Sequence, residues 1–312
     1  MCGIVGFLDK RGGRGQPLGQ TLLGLMQALS CRGPDSAGVA LFGPGQPHWI
    51  LQIKLPETGN LPEAARAVQA GLAGGGKVKR SSTVGSYLRA ELESQLEPLE
   101  IEALVMDAVP GTEVVSLGHQ LEIIKQVGSP QSLEETYHIA ARTGTHGVGH
   151  TRLSTESRVD LSHSQPFWAH GVPDLVSVHN GHVTNYHKLR RQYEQRGYRF
   201  FTENDSEVIG VYLRDRMAKG LSFGDVLRSS LDDLDGSFCY LAATGDELAF
   251  VKDRFGFKPL MLAETNDFVA IATEEVALRA ALGHGFEAKE PAPGTMKVWT
   301  VSQEVAHAGV KG

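Results

Sequence analysis

The alternation of apolar and polar positions predicts strands and helices in succession, with strands at both ends of the chain. Residues 3–8 form an apolar run typical of a buried strand, and apolar positions recur at helical spacing over residues 18–29. Residues 205–219 predict a helix that ends at Gly220. The other predicted strands are 38–42, 49–54, 113–116, 121–127, 146–152, 238–243, 248–252, 260–263 and 268–272, and the other predicted helices are 133–142 and 222–231. This order predicts two sheets with helices packed outside them.

The composition changes between about residues 56 and 111, which we interpret as an insertion or subdomain. Residues 62–72 and 86–99 have helical patterns, separated by three consecutive glycines. Residues 71–77 (GLAGGGK) fit most of a phosphate-binding loop. However, Val78 stands where that loop requires Ser or Thr, and a helical pattern precedes it instead of a strand, so a flexible linker is the better interpretation.

Composition and charge exclude several classes of protein. The chain has 312 residues, enough for one large domain or two smaller ones, and its net charge of −6 argues against a nucleic-acid or anionic-membrane surface. Three cysteines are too few for a disulfide framework. The N-terminus lacks the features of a signal peptide, and no apolar run reaches the roughly 18 residues of a membrane span. We therefore expect a cytoplasmic protein.

Cys2 is a candidate nucleophile. Because the second residue is small, we expect Met1 to be removed, which would place a thiol and a free α-amine in one residue. Such an amine titrates near about 7.7–8.0 and can act as a base near neutral pH. The thiolate is a strong nucleophile. Taken alone, however, Cys2 is better explained as a small buried apolar residue.

Three further motifs each have a structural and a chemical interpretation. Asn180-Gly181 between apolar stretches is typical of a hairpin turn, which is favoured when the motif is taken alone, but the pair can also form an oxyanion hole. Arg152, with the hydroxyl of Thr155 nearby, suits either a substrate carboxylate or a surface ion pair. Asp205 precedes an apolar helix, either as its cap or as the acid that receives a substrate ammonium.

A metal site is not expected, although seven of the twelve histidines lie between His146 and His187. No cysteine lies near them, and no HExxH pair is present. His146 and His150 are four residues apart in a predicted strand, where they would share a face without converging.

Taken together and in order, the motifs resemble the class II glutamine amidotransferase domain of the N-terminal-nucleophile hydrolases. The matching segments are 1–6 (MCGIVG), 32–38 (RGPDSAG), 149–152 (GHTR), 179–181 (HNG), 204–209 (NDSEVI), 235–238 (DGSF) and 253–260 (DRFGFKPL). The resemblance implies an α+β fold, a four-layer αββα sandwich with an inserted helical segment. It implies one amidotransferase domain over residues 2–300, followed by a C-terminal tail at 301–312.

The resemblance also implies a mechanism. Cys2 would attack the side-chain amide of glutamine, assisted by its own α-amine, and the resulting thioester would be hydrolysed to glutamate after ammonia leaves. Asn180 and Gly181 would stabilise the oxyanion.

Further roles follow from the same resemblance. Arg152 and Thr155 would hold the substrate carboxylate, and Asp205 would hold its ammonium. Arg32, with Gly33, would position the terminal amine.

The chain departs from the hexosamine-forming members of this family. Leu153 and Glu156 replace the Trp and His that flank their arginine motif, and we expect the carboxylate of Glu156 to turn away from the substrate. Residues 154–155 and 164–167 (SQPF) look more like the glutamate synthase branch.

The acceptor of the nitrogen is expected to lie in another subunit. Members usually carry a fused synthase domain, and the roughly forty residues after the last predicted strand are too few for one. We therefore expect a hetero-oligomer with a separate synthase subunit, with N-methylglutamate synthase as the nearest system. We expect no cofactor in this chain, while the partner could hold a flavin or an iron–sulfur cluster.

Three alternatives remain at this stage. An N-terminal-nucleophile amidohydrolase acting on another amide would leave Arg152 and Asp205 without charged groups to bind. A non-catalytic glutamine-sensing or scaffold subunit would need neither Cys2 nor the Asn180-Gly181 pair. A third variant lets methylamine attack the thioester and yields γ-glutamylmethylamide.

Overall fold

The computed structural model describes residues 2–13, 15, 17–154 and 158–301, and this part of the chain contains sixteen strands and eight α-helices. The strands are β1 Gly3–Asp9, β2 Ser36–Phe42, β3 Trp49–Lys54, β4 Lys77–Val84, β5 Tyr87–Glu93, β6 Glu113–Gly118, β7 Leu121–Val127, β8 His146–Arg152, β9 Phe167–Trp168, β10 Val176–Val183, β11 Gly236–Ala243, β12 Glu247–Lys252, β13 Met261–Glu264, β14 Phe268–Ala272, β15 Ala288–Lys289 and β16 Thr295–Thr300. The helices are α1 Leu18–Ala28, α2 Leu61–Ala73, α3 Pro98–Ala108, α4 Pro130–Tyr137, α5 Tyr186–Gln195, α6 Glu207–Ala218, α7 Phe223–Asp233 and α8 Glu275–Leu282. Most of the predicted strands and helices are confirmed.

Two antiparallel sheets form the centre of the fold. A seven-stranded sheet has the order β15-β13-β14-β1-β8-β2-β7, and a five-stranded sheet has the order β16-β12-β11-β10-β9. The faces of β1 and β8 contact β10 and β11, and the apolar side chains between them form one core. At Gly6, an added Cβ would lie 3.0 Å from Leu241 Cδ1, which shows how closely the sheets approach.

Helices cover the outer face of each sheet. Helices α1 and α8 pack on the seven-stranded sheet, and α6 and α7 pack on the five-stranded sheet around a second apolar cluster. The predicted four-layer αββα arrangement is therefore confirmed. Helices α5 and α8 were not predicted from the sequence, and the helix expected over 133–142 is α4 followed by a short 3₁₀ turn at Ile139–Ala141.

The inserted stretch is a mixed layer and not a purely helical one. Strands β4, β5, β3 and β6 form a third, four-stranded sheet, against which α2 and α3 pack. The helix predicted over residues 86–99 is wrong, because β5 occupies residues 87–93 and α3 begins only at Pro98. In β5, Leu88, Ala90 and Leu92 are buried while Arg89, Glu91 and Glu93 are more exposed, the period of a strand with one face in a core.

No helix among the described residues is long and apolar enough to cross a bilayer. Of the predicted tail at 301–312, the residues after Val301 lie outside the described part of the chain.

Candidate active site

Cys2 lies directly before β1, at the centre of the seven-stranded sheet. In that strand, Gly3 pairs with Thr151 of β8, and an added Cβ at Gly3 would lie 2.7 Å from Thr151 Oγ1. The absence of a side chain at Gly3 therefore lets the two strands approach each other. The Cys2 thiol is partly exposed and donates to the carbonyl oxygen of Leu153 at 3.7 Å. The candidate nucleophile is thus fixed beside the end of β8.

Arg152 is the last residue of β8 and is buried. Its Nη1 donates to the carbonyl oxygen of Arg158 at 2.9 Å. Burial lowers the pKa of Arg152, while the nearby Cys2, Asp160 and Asp35 oppose that shift. The predicted partner Thr155, and Glu156 with it, lie outside the described residues.

Arg32 lies in a short 3₁₀ turn, Ser30–Arg32, soon after α1. Its Nη1 forms an ion pair with Glu274, the residue that precedes α8. The next residue is Gly33, where an added Cβ would lie 2.3 Å from the carbonyl carbon of Thr151. Only glycine fits there, so the turn packs directly against the backbone of β8.

Asn180 and Gly181 lie within strand β10, so the hairpin turn favoured for this pair alone is wrong. They pair with Cys239 and Phe238 of β11. Gly181 has φ +135°, and an added Cβ would lie 2.2 Å from the carbonyl oxygen of Ser237. Asn180 is buried, and its amide Nδ2 has no hydrogen-bond partner among the described residues.

A buried network fixes the backbone next to Asn180. The Gln165 side chain accepts from the N–H of His179 at 2.6 Å and donates to its carbonyl oxygen at 3.1 Å. His150 Nε2 donates to the same carbonyl at 3.2 Å. Burial lowers the pKa of His150 to about 3, so this ring stays neutral. The peptide between His179 and Asn180 is thereby held from two sides.

The same network reaches Asp205. His179 Nδ1 lies 2.8 Å from Ser206 Oγ, and Gln165 Nε2 donates to that hydroxyl at 3.1 Å. Burial lowers the pKa of His179, although Asp205 at 3.9 Å opposes the shift. Asp205 Oδ2 accepts from the N–H of Val183 at 2.9 Å, so the carboxylate lies across the end of β10 and not only at the helix start.

One cavity of about 610 Å³ brings most of the predicted residues together. Cys2, Arg152, Gly181 and Asp205 line it, whereas Arg32 and Asn180 are not part of the lining. A fixed cation and a carboxylate in one cavity with a thiol can bind both charged groups of an amino acid near a nucleophile. Among the described residues, no group of three or more His, Cys, Asp or Glu side chains is placed to hold a metal ion.

Comparisons with known proteins identify the family of this chain. A family model described as a glutamine amidotransferase domain matches residues 150–280. A putative glutamine amidotransferase of Methanothermobacter thermautotrophicus is 34% identical over 310 residues, covering 96% of this chain and 100% of that protein. The glutamine amidotransferase-like protein GlxB of Rhizobium meliloti is 34% identical over 304 residues, covering 96% of this chain and 98% of its own. The chain belongs to the glutamine amidotransferase family.

Solved structures agree on the fold of this amidotransferase. An allosteric regulatory enzyme of purine biosynthesis superposes with a TM-score of 0.63 at 19% identity, covering 95% of this chain and 46% of that one. The glutamine phosphoribosylpyrophosphate amidotransferase of B. subtilis gives a TM-score of 0.62 at 18% identity, covering 97% and 50%. The amidotransferase thus spans about half of each structure. The expected enzyme class, a class II glutamine amidotransferase with a glutaminase half-reaction, is confirmed.

Some cavity residues of the amidotransferase were not predicted as site residues. His163, Gln165 and Ser206 line the cavity together with Arg158. Residues 164–167 had been noted only as a likeness to one branch of the family, and His163 only as one of many histidines. No motif in the sequence relates these residues to Cys2, because they come together only in the folded chain.

Proposed function

We propose that this amidotransferase hydrolyses L-glutamine to L-glutamate and ammonia, with Cys2 as the nucleophile and the nitrogen passed to a synthase subunit. The observation that carries the proposal is that Cys2 shares one cavity with Arg152 and Asp205. Next to the lining residue Gly181 stands Asn180, whose amide has no partner among the described residues. A buried amide without a partner costs about 1–3 kcal/mol, and an oxyanion would supply the missing partner.

The reaction begins with the Cys2 thiol, whose proton moves to its own α-amine once Met1 has been removed. The sulfur attacks the amide carbon of glutamine, and the carbonyl oxygen becomes an oxyanion. Asn180 Nδ2–H donates to this oxyanion, together with the N–H of Gly181. The C–N bond then breaks, and the proton held by the amine leaves with ammonia. Water hydrolyses the remaining thioester, which releases glutamate and restores the thiol.

Binding of the substrate uses charge at both ends of the amino acid. Arg152, with Thr155, holds the α-carboxylate, and Asp205 holds the α-ammonium. Arg32 positions the terminal amine. Arg152 and Asp205 make the site selective for glutamine over simple amides, because a simple amide offers neither a carboxylate nor an ammonium for these two charged groups to bind.

The synthase subunit is proposed from chemistry and from relatives. Ammonia that escapes into water at neutral pH becomes ammonium, which is no nucleophile, so a consuming site must receive it directly. The relatives from M. thermautotrophicus and R. meliloti are matched over 100% and 98% of their lengths, so the match leaves no room in either of them for a fused synthase domain. The likeness of residues 164–167 to the glutamate synthase branch supports a glutamate-synthase-like or N-methylglutamate synthase complex, whose other subunits would hold any flavin or iron–sulfur cluster.

The test is labelling with the glutamine-like electrophile 6-diazo-5-oxo-L-norleucine, followed by intact mass and peptide mapping. We expect one adduct on a Met-free Cys2, and excess L-glutamine should prevent it, whereas excess L-asparagine should not. Retention of Met1 with no adduct would contradict the proposal and favour a sensing or scaffold role. An adduct that glutamine does not prevent would indicate another amide as substrate.

A further inference from the structure

A histidine–aspartate pair opens onto the same cavity and takes no part in the mechanism above. Asp160 Oδ1 accepts the backbone N–H of His163 at 2.8 Å and lies 2.7 Å from ring atom Nδ1. Because a carboxylate can only accept, the neutral ring carries its proton on Nδ1 and presents a lone pair at Nε2. Burial raises the pKa of Asp160, but the hydrogen bonds from His163 and the electrostatic attraction of His163 and Lys54 together lower it overall, so the carboxylate stays ionised.

The ring of His163 is held in place by its surroundings. Ser162 Oγ donates to Glu113 Oε2 at 2.6 Å and accepts from Lys54 Nζ at 2.8 Å. Ser164 Oγ donates to the carbonyl oxygen of Asp160 at 2.6 Å. The two neighbours of His163 are thus both fixed, so little ordering would be needed when a ligand binds.

His163 lies at the Asp205 end of the cavity. Its carbonyl oxygen accepts from Asn204 Nδ2 at 3.4 Å, one residue before Asp205. Both His163 and Asp205 line the cavity. With Nδ1 committed to Asp160, Nε2 is the ring atom left to meet a ligand there, and it has no hydrogen bond to any residue in the described part of the chain.

We propose that His163 is a specificity-determining residue, whose Nε2 accepts a hydrogen bond from the α-ammonium of the substrate. The inference rests on the proposed function. An ammonium has three N–H donors, and Asp205 has already committed Oδ2 to the N–H of Val183. Oδ1 of Asp205 also accepts from Ser206 Oγ at 3.4 Å, so the carboxylate keeps about two of its roughly four acceptor positions for three donors. The fixed lone pair of His163 supplies the third acceptor without adding a second negative charge.

The test measures the contribution of the α-ammonium to binding separately from that of the rest of the substrate. Calorimetry measures the binding of L-glutamine and of 4-carbamoylbutanoate, which lacks only the α-amino group. A Cys2→Ala background prevents turnover during the measurement. His163→Phe should weaken L-glutamine about tenfold, the size of one hydrogen bond to a charged group. Its affinity for 4-carbamoylbutanoate should stay unchanged.

Two matched variants complete the design. His163→Gln retains an acceptor and should bind L-glutamine nearly as the parent does. His187→Phe changes another histidine of the cavity, whose ring has no carboxylate partner among the described residues, and should leave the preference for L-glutamine intact.

The outcomes distinguish this inference from the function on which it rests. Equal losses for both ligands in His163→Phe, or no loss for either, would overturn the role of His163 and leave the proposed function standing. If the Cys2→Ala parent does not bind L-glutamine at all, both the proposed function and this inference are wrong.

Discussion

Asn180 buries an amide nitrogen for which the described structure offers no hydrogen-bond partner. If that amide serves an oxyanion, its removal should affect the reaction far more than the fold. We expect Asn180→Ala to lower kcat by about 10²–10³-fold, the effect of losing one oxyanion donor. The melting temperature should be nearly unchanged, since Nδ2 makes no hydrogen bond that the substitution would break.

Steady-state glutaminase assays and thermal melts of the two proteins test this prediction. A kcat close to that of the wild type would remove Asn180 from the mechanism. A large loss of stability would show that the side chain holds the strand together instead.

Buried histidines make the stability of the fold depend on pH. His146 Nε2 donates to the carbonyl oxygen of Thr244 at 2.7 Å, and Phe42 stacks on the ring. Burial lowers the pKa of His146 to about 4 and that of His150 to about 3. The unfolded chain binds a proton at each histidine below about pH 6.5, but the folded chain does not. Stability is therefore lost as pH falls from about 6.5 towards these lowered values.

Each of these histidines should lower the free energy of unfolding by about 1.4 kcal/mol per pH unit below about pH 6.5. Urea denaturation between pH 7 and pH 5 measures the slope, and this range avoids most carboxylate titration. In His146→Gln the change in unfolding free energy per pH unit should be smaller by the contribution of one histidine. This holds whatever the absolute stability of the variant. Identical slopes in the two proteins would refute the assignment.

The chemistry of the site could be predicted from the sequence only where the residues form short motifs. Cys2, Arg152 and Asp205 each stand in such a motif, and the structure places all three in one cavity. His163 and Gln165 could not be assigned, because their contacts depend on the path of residues 158–165 and on strands far away in the chain.

At the scale of elements, pairing between strands overrides two local sequence preferences, one for a turn and one for a helix. Asn180-Gly181 has the composition of a turn, yet β10 pairs with β11 over eight positions from Val176 to Val183. Residues 86–99 are rich in helix formers, yet β5 lies between β3 and β4 and alternates in burial. The alternation was present in the sequence, but only the neighbouring strands give it an advantage over helix propensity.

A hydroxyl group links the third sheet to a segment that borders the active-site cavity. Ser162 Oγ joins Glu113 of β6 and Lys54 of β3 to the segment that carries His163. We expect Ser162→Ala to lower the free energy of unfolding by about 1–2 kcal/mol. The KM for glutamine should rise severalfold because the segment loses its anchor. The kcat should stay close to wild type, since Cys2 and Asn180 lie on other elements.

Ser230→Ala is the matched control for this variant. Its buried hydroxyl donates to Leu227 and lies 2.5 Å from the Tyr240 hydroxyl, away from the cavity. It should lower stability by a similar amount without changing KM. Equal KM values for Ser162→Ala and wild type would show that the third sheet does not position the substrate segment.

At the scale of the whole molecule, the sequence predicted the two facing sheets and the helical layers but not the third sheet. The core strands have continuous apolar runs, and their burial on both sides makes that pattern clear. The third sheet combines β3 and β6, which flank the insertion, with β4, which is exposed along most of its length. Such a strand has little apolar pattern to reveal it, so its sheet becomes apparent only in three dimensions.

The transfer of ammonia belongs to the assembled complex, so its test requires the chain recovered with its partners from the source organism. The complex is supplied with [amide-¹⁵N]-L-glutamine in the presence of a large excess of unlabelled ammonium. We expect the synthase product to retain ¹⁵N, because nitrogen passed directly between subunits does not mix with the solvent pool. With Cys2→Ala in the complex, the product should contain only unlabelled nitrogen. Equilibration of the label with bulk ammonium in the wild-type complex would show that ammonia is released into water before it is used.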